Sequence, residues 1–404
     1  VMPTITNYNQ FRGLHWETGS VRNFFSQRGF RAPHTSEPYS EAFLLGVSGG
    51  AVMGYFTFLY EGYDPQCNIL TRNTFDPLDK MLSRLGVVQT VQHTAKADRA
   101  VDILVDTLQG GQAAIIWADM WSLPYNALTW DEGMWGAMPL VVYGYEPEED
   151  SVYIADRAAG PLMVTPAELA AACGRIKKFK HRLLTLDAPR PEKLASAVRL
   201  GICDTIQLYT EKPPKGSKNN FGLNAYKFWA KMLTQPKQRL SWEKQFPAGL
   251  PMYAGLTSAF NFAFLFGKGT RQDAERGMYA DFLQEAALLL NIPALNKAAA
   301  PFRTAASAWQ QLPAFLLPDD VQPFAESREL MLRKHTLFLE QGGAALEEIQ
   351  GINSRLDDIR AAMMSDFPLT QEEVVAFRER LAGQILAIHD AEETAVQTLQ
   401  DAIA

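Results

Sequence analysis

The spacing of apolar residues predicts two amphipathic helices in the first half of the chain. In "SVRNFFSQRGF", apolar side chains at Val21, Phe24 and Phe25 recur at helical intervals, and Gly29 marks the end of the pattern. The segment from Asp98 to Gly111 repeats this arrangement, again with glycines at its end. One face of each helix is therefore expected to be buried.

Three short apolar segments after the second helix predict β-strands. "QAAIIWADM", "PLVVYGYE" and "SVYIADRA" are rich in Val, Ile, Tyr and Trp and are separated by turn residues. Because only the polar stretch 147–150 separates the last two, they are expected to form a hairpin. Helices followed by an antiparallel sheet make the first half an α+β domain.

The second half is predicted to be all helical. The polar, Pro- and Lys-rich stretch 210–220 offers little to bury, and only helical periodicity follows it. Thr370 and Glu373 form a capping pair at the start of the last helix, whose apolar stripe then begins at Val374. We therefore predict an α+β domain over 1–190, a connecting helix and linker over 191–220, and a helical bundle over 221–404.

The most apolar segment, Pro251 to Gly267, is predicted to be a buried helix rather than a membrane span. It is shorter than the roughly 20 residues that a spanning helix needs, and Asn261 interrupts it. The N-terminal "VMPTITNYNQ" also has no basic stretch followed by an apolar core, so no secretory signal is expected. No membrane partner is predicted.

Composition narrows the function classes further. A formal net charge of −7 argues against nucleic acid as a partner, because such binding needs clustered Lys and Arg. The three cysteines form no CxxC pair, which favours a reducing compartment and a cytoplasmic protein. Neither a histidine pair with metal-ligand spacing nor a glycine-rich nucleotide motif is present in the sequence, so no metal and no cofactor are predicted.

Four segments of the first half, in this order, carry a resemblance to a known family. "GLHWETGSVRNFFSQRGF", "SEAFLLGVSGGAVMGYF", "WADMWSLPYN" and "AMPLVVYGYEPEEDSVYIADRA" are similar to the N-terminal domain of the butirosin-biosynthesis H protein family. The resemblance implies a papain-like fold and an acyltransferase. The second half resembles the helical domain of unknown function that often follows it.

The resemblance also implies three catalytic positions, two of which hold other residues here. The family's nucleophilic Cys falls on Trp16 and its His falls on Met138, whereas the Asp that would orient the His matches Asp156. An acyl-enzyme route through a Cys–His pair at these positions is therefore excluded. The first hypothesis is a catalytically degenerate relative, a pseudoenzyme whose former cleft binds an acyl or amino-acid-derived ligand or a protein partner.

The alternative hypothesis is an acyltransferase or hydrolase with non-cysteine chemistry. "GVSGG" fits the nucleophile-elbow pattern G-x-S-x-G, with Ser48 as the nucleophile. Direct acyl transfer without a covalent intermediate is a further alternative, with His15 or Asp156 as the base. Covalent modification at Ser48 would distinguish these two routes.

Further residues are expected to contact ligands or partners. The predicted substrate-binding residues are Trp16, Glu17, Asp119, Met138 and Tyr145. The basic segment 175–182 is predicted to be an edge strand, and the functional alternative is a docking surface for an acidic acyl carrier protein. The amphipathic C-terminal helices also make a homodimer a possible assembly.

Overall fold

A computed structural model describes residues 3–404, and it has the predicted α+β architecture. Its helices are α1 (Trp16–Gln27), α2 (Glu41–Val47), α3 (Pro77–Arg84), α4 (Ala97–Gln109), α5 (Pro166–Gly174), α6 (Leu194–Thr210), α7 (Gly222–Thr234), α8 (Trp242–Gln245), α9 (Leu250–Phe264), α10 (Arg276–Leu290), α11 (Ala294–Trp309), α12 (Leu312–Leu316), α13 (Gln322–Gln341), α14 (Leu346–Ala362) and α15 (Gln371–Ile403). The helices from α7 onward make up the C-terminal half.

Two antiparallel sheets lie in the N-terminal half. The strands are β1 (Ala51–Phe58), β2 (Gln66–Arg72), β3 (Gln89–His93), β4 (Ala114–Asp119), β5 (Ala137–Glu146), β6 (Ser151–Ala155), β7 (Leu162–Val164) and β8 (Arg182–Leu186). Strands β1 and β2 pair with each other, and the larger sheet has the order β3-β8-β4-β5-β6-β7. The predicted hairpin is confirmed, because β5 and β6 pair with Tyr145 opposite Val152.

Local signals located several elements correctly. Helix α1 begins at Trp16 and is followed by Gly29 at a φ of +70°. Helix α15 begins after its N-cap Thr370, which forms the predicted capping box with Glu373, and its stripe from Val374 onward is buried. These signals are reliable because capping and helical periodicity act between residues three or four positions apart.

Two sequence interpretations are wrong. The basic segment 175–182 is not an edge strand: α5 ends at Gly174, a 3₁₀ turn covers Lys177–Phe179, and β8 lies inside the sheet between β3 and β4. The order around Ser48 is helix α2, turn, strand β1, which is the reverse of the strand–turn–helix of a nucleophile elbow. The apolar run "FLLG" before Ser48, which a nucleophile elbow requires to be a strand, forms part of α2, because a short buried run is compatible with either structure.

The two halves share a hydrophobic core. One cluster of fully buried side chains includes Phe43 of α2, Ile202 of α6, Phe282 of α10 and Leu399 of α15. Helix α6, within the predicted connecting segment, packs so closely on α2 that a Cβ at Gly201 would meet the Gly46 carbonyl oxygen. The division at 190 and 220 stays a prediction.

The apolar segment predicted to be a buried helix is α9. Its buried residues include Met252, Leu256 and Phe260. Across residues 3–404, no helix combines the length and apolar character needed to cross a bilayer.

Candidate functional site

The N-terminus of α1 is held by a buried carboxylate. Glu41 accepts hydrogen bonds from the backbone N–H groups of Leu14 (2.7 Å) and His15 (3.1 Å) and from the Thr18 hydroxyl (2.9 Å). A carboxylate near the first turn satisfies N–H groups and interacts favourably with the helix dipole. This arrangement fixes the position of Trp16, the first residue of α1.

The Trp16 side chain is buried against the C-terminal half of the chain. Only 4% of the residue is exposed, and its ring lies edge-on to Phe266 at a centroid distance of 5.0 Å. A Cβ atom at Gly267 would lie 2.2 Å from the indole, and Gly267 has a φ of +64°. Glycine at this position therefore gives the indole the space it occupies.

The three positions implied by the family resemblance lie at one end of the sheet. Strand β5 begins next to Met138, and β6 ends before Asp156; Val141 pairs with Ala155, so both positions lie at the same sheet end. Ser20 of α1 donates a hydrogen bond to the Pro139 carbonyl (3.0 Å), which ties α1 to that end. The topology thus supports the correspondence of these positions.

A cavity of about 680 Å³ opens beside Trp16, between the N-terminal half and three helices of the C-terminal half. Ligand pockets commonly have volumes of about 300–1,000 Å³. The N-terminal half contributes Trp16, the β1–β2 loop over 62–66, the segment 120–134 and Arg157. The opposite wall consists of residues from α9, α13 and α14.

Asp119 organises one wall of this cavity without lining it. Its fully buried carboxylate accepts hydrogen bonds from the Ser122 backbone N–H (3.1 Å), the Gly136 backbone N–H (2.9 Å) and Arg175 Nη1 (2.7 Å). Arg175 also donates to the Asp131 carbonyl at 2.6 Å. Since the segment 120–134 lies between these bonds, Asp119 acts as a positioning residue.

His15 points away from the cavity into a charged cluster. Its Nε2 atom lies 3.1 Å from the Glu275 carboxylate, which also accepts from Lys268 Nζ at 2.5 Å. Burial, reinforced by the charge of Arg72, lowers the pKa of His15. Burial alone would raise the pKa of Glu275, but the charge of Lys268 outweighs this and holds it well below the usual range. His15 is therefore neutral, with Nε2 donating to Glu275.

The same cluster includes the other predicted residue of this turn. A carboxylate oxygen of Glu17 lies 3.5 Å from a guanidinium nitrogen of Arg72, which also lies near Glu275. Burial lowers the pKa of Lys268 to about 8. His15, Lys268 and Glu275 line a separate void of only about 30 Å³, so the structure does not bring them to the large cavity.

Ser48 and Tyr145 lie elsewhere. Ser48 is buried at the end of α2, and its hydroxyl donates to the Leu45 carbonyl at 2.7 Å. Tyr145 is seven residues along β5 from Met138, or roughly 23 Å at the usual rise per residue. It lines a different void of about 50 Å³, between α4 and α5. Neither residue lines the large cavity.

The structure identifies cavity residues that the sequence reasoning missed. Arg157 follows Asp156 directly after β6, and Lys334, His335 and Phe338 lie on one face of α13. Two charged residues after a buried strand are a signal that could have drawn attention to Arg157. The α13 residues had no comparable signal, because a helix face does not reveal which element it will meet.

One group of side chains in residues 3–404 has atoms close enough to hold a metal ion. His389, Asp390 and Glu393 of α15 bring ligand atoms within 4.8 Å of one another, and both acids are exposed. This group lies outside the large cavity. The expectation of no metal stays a prediction.

Comparison with known families agrees with the geometry. Residues 15–157 match the family model described as butirosin biosynthesis protein H, N-terminal. The matched part of the chain begins next to Trp16 and ends at Arg157, and it is similar to the N-terminal domain of that family. No curated protein matches the chain.

Proposed function

We propose that the protein is a catalytically degenerate relative of a papain-like cysteine acyltransferase, and that it binds a small acyl or amino-acid-derived ligand in the 680 Å³ cavity. The observation that carries this proposal is the position of Trp16. It begins the buried helix where the family resemblance expects a nucleophile, and its indole forms part of the cavity wall.

The chemistry of the two substituted positions supports binding without covalent turnover. An indole offers a flat apolar surface and one hydrogen-bond donor, and a thioether offers only a weak acceptor. Neither can replace a thiolate or a base. With Trp16 and Met138 at these positions, acyl transfer through a Cys–His pair cannot take place at this end of the sheet.

The alternative catalytic groups lie away from the ligand space. Ser48, His15 and Asp156 do not line the large cavity. The Ser48 hydroxyl bonds to a backbone carbonyl, and the His15 ring is engaged with Glu275. A reaction at Ser48 or His15 would require a substrate to reach a different part of the molecule, and Asp156 is already paired with Arg157 at 3.3 Å.

Filling the cavity tests the binding proposal. Thr257 of α9 lines the cavity, so Thr257→Trp should abolish binding of octanoyl and phenylacetyl thioesters of N-acetylcysteamine, measured by native mass spectrometry. Thr304→Trp is the matched control, because Thr304 is also helical, makes the same bond to the carbonyl four residues earlier, and is exposed. Equal binding by both variants would contradict the proposed site.

Intact-protein mass measurements test the absence of turnover. We expect no adduct with a fluorophosphonate and no hydrolysis of the two thioesters. A fluorophosphonate adduct in the wild type that is lost in Ser48→Ala would establish a serine nucleophile and overturn the proposal.

A further inference from the structure

The guanidinium group of Arg157 lies between two aromatic rings at the cavity wall. Its central carbon is 4.4 Å from the centre of the Trp16 ring and 4.7 Å from the centre of the Phe338 ring. Phe338 stacks in turn on Tyr125 at a centroid distance of 6.3 Å. All four side chains line the cavity.

A backbone contact between the two halves maintains this arrangement. The Ala159 N–H group, two residues after Arg157, donates to the Leu339 carbonyl at 2.7 Å. This bond holds the end of α13 against the segment after β6, and Phe338 thereby covers the guanidinium. The group is clamped by parts of the chain that are distant in sequence.

Arg157 has hydrogen-bonding capacity that the described protein leaves unused. Its Nε–H donates to Asp156 Oδ1 at 3.3 Å, and the two terminal nitrogens have no hydrogen-bond partner among residues 3–404. A guanidinium carries five N–H donors, and only 7% of this residue is exposed. A largely buried guanidinium normally has its donors satisfied, because burying an N–H group without a hydrogen-bond partner is costly.

We propose that Arg157 binds the carboxylate of the cavity's ligand, with the ligand's apolar body lying along the opposite helices. This inference rests on the proposed function, and it adds the chemical class of the ligand. The planar guanidinium fork can donate two parallel hydrogen bonds to a carboxylate. Stacking between Trp16 and Phe338 holds the fork in one orientation before the ligand arrives.

Tyr125 provides a second, neutral donor close to Arg157. Its hydroxyl is buried without a hydrogen-bond partner among the residues described. Burial, reinforced by the charge of Asp156, holds the pKa of Tyr125 well above its usual value, so the hydroxyl keeps its proton. A ligand oxygen that enters beside Arg157 would accept a hydrogen bond from this hydroxyl after a small rotation of the hydroxyl group.

The other charged groups of the cavity already have partners. Arg360, at the rim, donates two hydrogen bonds to Asp64 at 2.6 and 2.8 Å. Lys334 Nζ donates to Asn353 at 2.6 Å, and it also interacts with the charge of Asp357. Arg157 is therefore the cavity cation whose two terminal guanidinium nitrogens both lack a hydrogen-bond partner among residues 3–404.

The remaining lining defines the rest of the ligand. The wall away from Arg157 is largely apolar, with side chains from Leu128, Phe262, Leu265, Met331 and Leu356. Asp156 already places one negative charge beside the guanidinium, which disfavours a dianion more strongly than a monoanion. An apolar monocarboxylate fits this combination better than a phosphate monoester.

Matched acid and amide pairs test the inference by isothermal titration calorimetry. We expect wild-type protein to bind octanoate and 3-phenylpropionate at least about 10-fold more tightly than octanamide and 3-phenylpropanamide. Arg157→Met, which keeps an apolar stem between the rings, should remove this preference but leave the amides bound. Arg157→Lys should retain part of the preference, because the charge remains but the fork is lost.

A control variant separates the site from a general effect of charge. Arg182 also lies over an indole, 4.3 Å from the Trp117 ring, but outside the large cavity. Arg182→Met should leave the ratio of acid affinity to amide affinity unchanged. A loss of the ratio in this control would overturn the assignment to Arg157.

The outcomes separate the two proposals. Equal binding of acids and amides by wild-type protein would overturn the carboxylate inference while the binding function stands, and this comparison does not require any variant to fold. Tighter binding of octyl phosphate than of octanoate would also overturn it. If neither acid and neither amide bound to the wild-type protein, the inference and the proposed function would both be overturned.

Discussion

Arg157 lies over the ring of Trp16, with 4.4 Å between its guanidinium carbon and the ring centre. Trp16 begins the helix that the family resemblance expects to carry a nucleophile, and Arg157 follows the position expected to orient a base. The contact therefore joins one of the positions implied by the resemblance to the neighbour of another by a cation–π interaction, which has a strength of about 0.5–2 kcal/mol. Binding by a fixed guanidinium takes the place of covalent chemistry in our proposal.

Introducing the two residues that the family resemblance implies should produce a reactive thiol. In a Cys203→Ser background, the double variant Trp16→Cys with Met138→His is expected to react with iodoacetamide at pH 6.5 about 10-fold faster than an ordinary surface thiol. The helix N-terminus and Arg157 both stabilise a thiolate at this position. The background change removes the exposed cysteine, whereas Cys67 and Cys173 are buried.

The native cysteines supply the internal reference for this measurement. Burial raises the pKa of Cys173 to about 12, so this thiol should stay unmodified under the same conditions. Labelled peptides identified by mass spectrometry would report the site. A folded double variant whose introduced thiol reacts no faster than that of wild-type Cys203 would count against the correspondence of Trp16 with the nucleophile.

Gly267→Ala should destabilise the protein strongly. A Cβ atom there would lie 2.2 Å from the Trp16 ring, and the φ of +64° is itself unfavourable for alanine. The backbone cost alone is about 1–2 kcal/mol. We expect a total loss above 2 kcal/mol in the free energy of unfolding, measured by urea denaturation.

Gly29→Ala separates the backbone cost from the clash. Gly29 also has a positive φ, +70°, but nothing lies within 4 Å of its added Cβ. This variant should lose only the backbone contribution. Equal losses in the two variants would show that the indole does not require the space at Gly267.

Asp119→Ala should loosen the cavity wall. The change removes a fully buried acceptor and leaves Arg175 without its ion pair, which costs about 3–5 kcal/mol for a buried pair. We expect a lower free energy of unfolding and faster chymotrypsin cleavage in the segment 120–136, which contains the exposed Trp130. Asp106→Ala, on the exposed face of α4, should change neither measurement.

The state of His335 predicts a pH dependence of stability. Burial, reinforced by the charge of Arg157, lowers the pKa of His335 from 6.5 to about 4. The unfolded chain therefore binds more protons than the folded protein between these values, and the free energy of unfolding falls as the pH drops through this window. The contribution is about 1–2 kcal/mol between pH 7 and pH 5.

Removing the titrating ring should reduce this loss of stability. His335→Asn is expected to lose about 1–2 kcal/mol less than wild type between pH 7 and pH 5. His93→Asn, at an exposed position of β3, should behave as wild type. If His335→Asn and wild type lost the same free energy of unfolding between pH 7 and pH 5, the attribution of this loss to His335 would be contradicted.

Local sequence signals were sufficient for much of the fold. The Thr370–Glu373 capping box, the stripe of α15 and the β5–β6 hairpin depend on residues that are close in sequence, and all three are confirmed. The pattern around Ser48 misled because five residues do not specify whether the flanking apolar run is helix or strand.

The sequence by itself determined the fold class, the capping box at the start of α15 and the hairpin of β5 and β6. Only the tertiary structure decided that Arg157 lies between Trp16 and Phe338, and that His15 faces Glu275 instead of the cavity. Periodicity and capping act over a few residues, so a sequence records them directly. Which side chains line a cavity depends on packing between distant elements, and no local pattern encodes that packing.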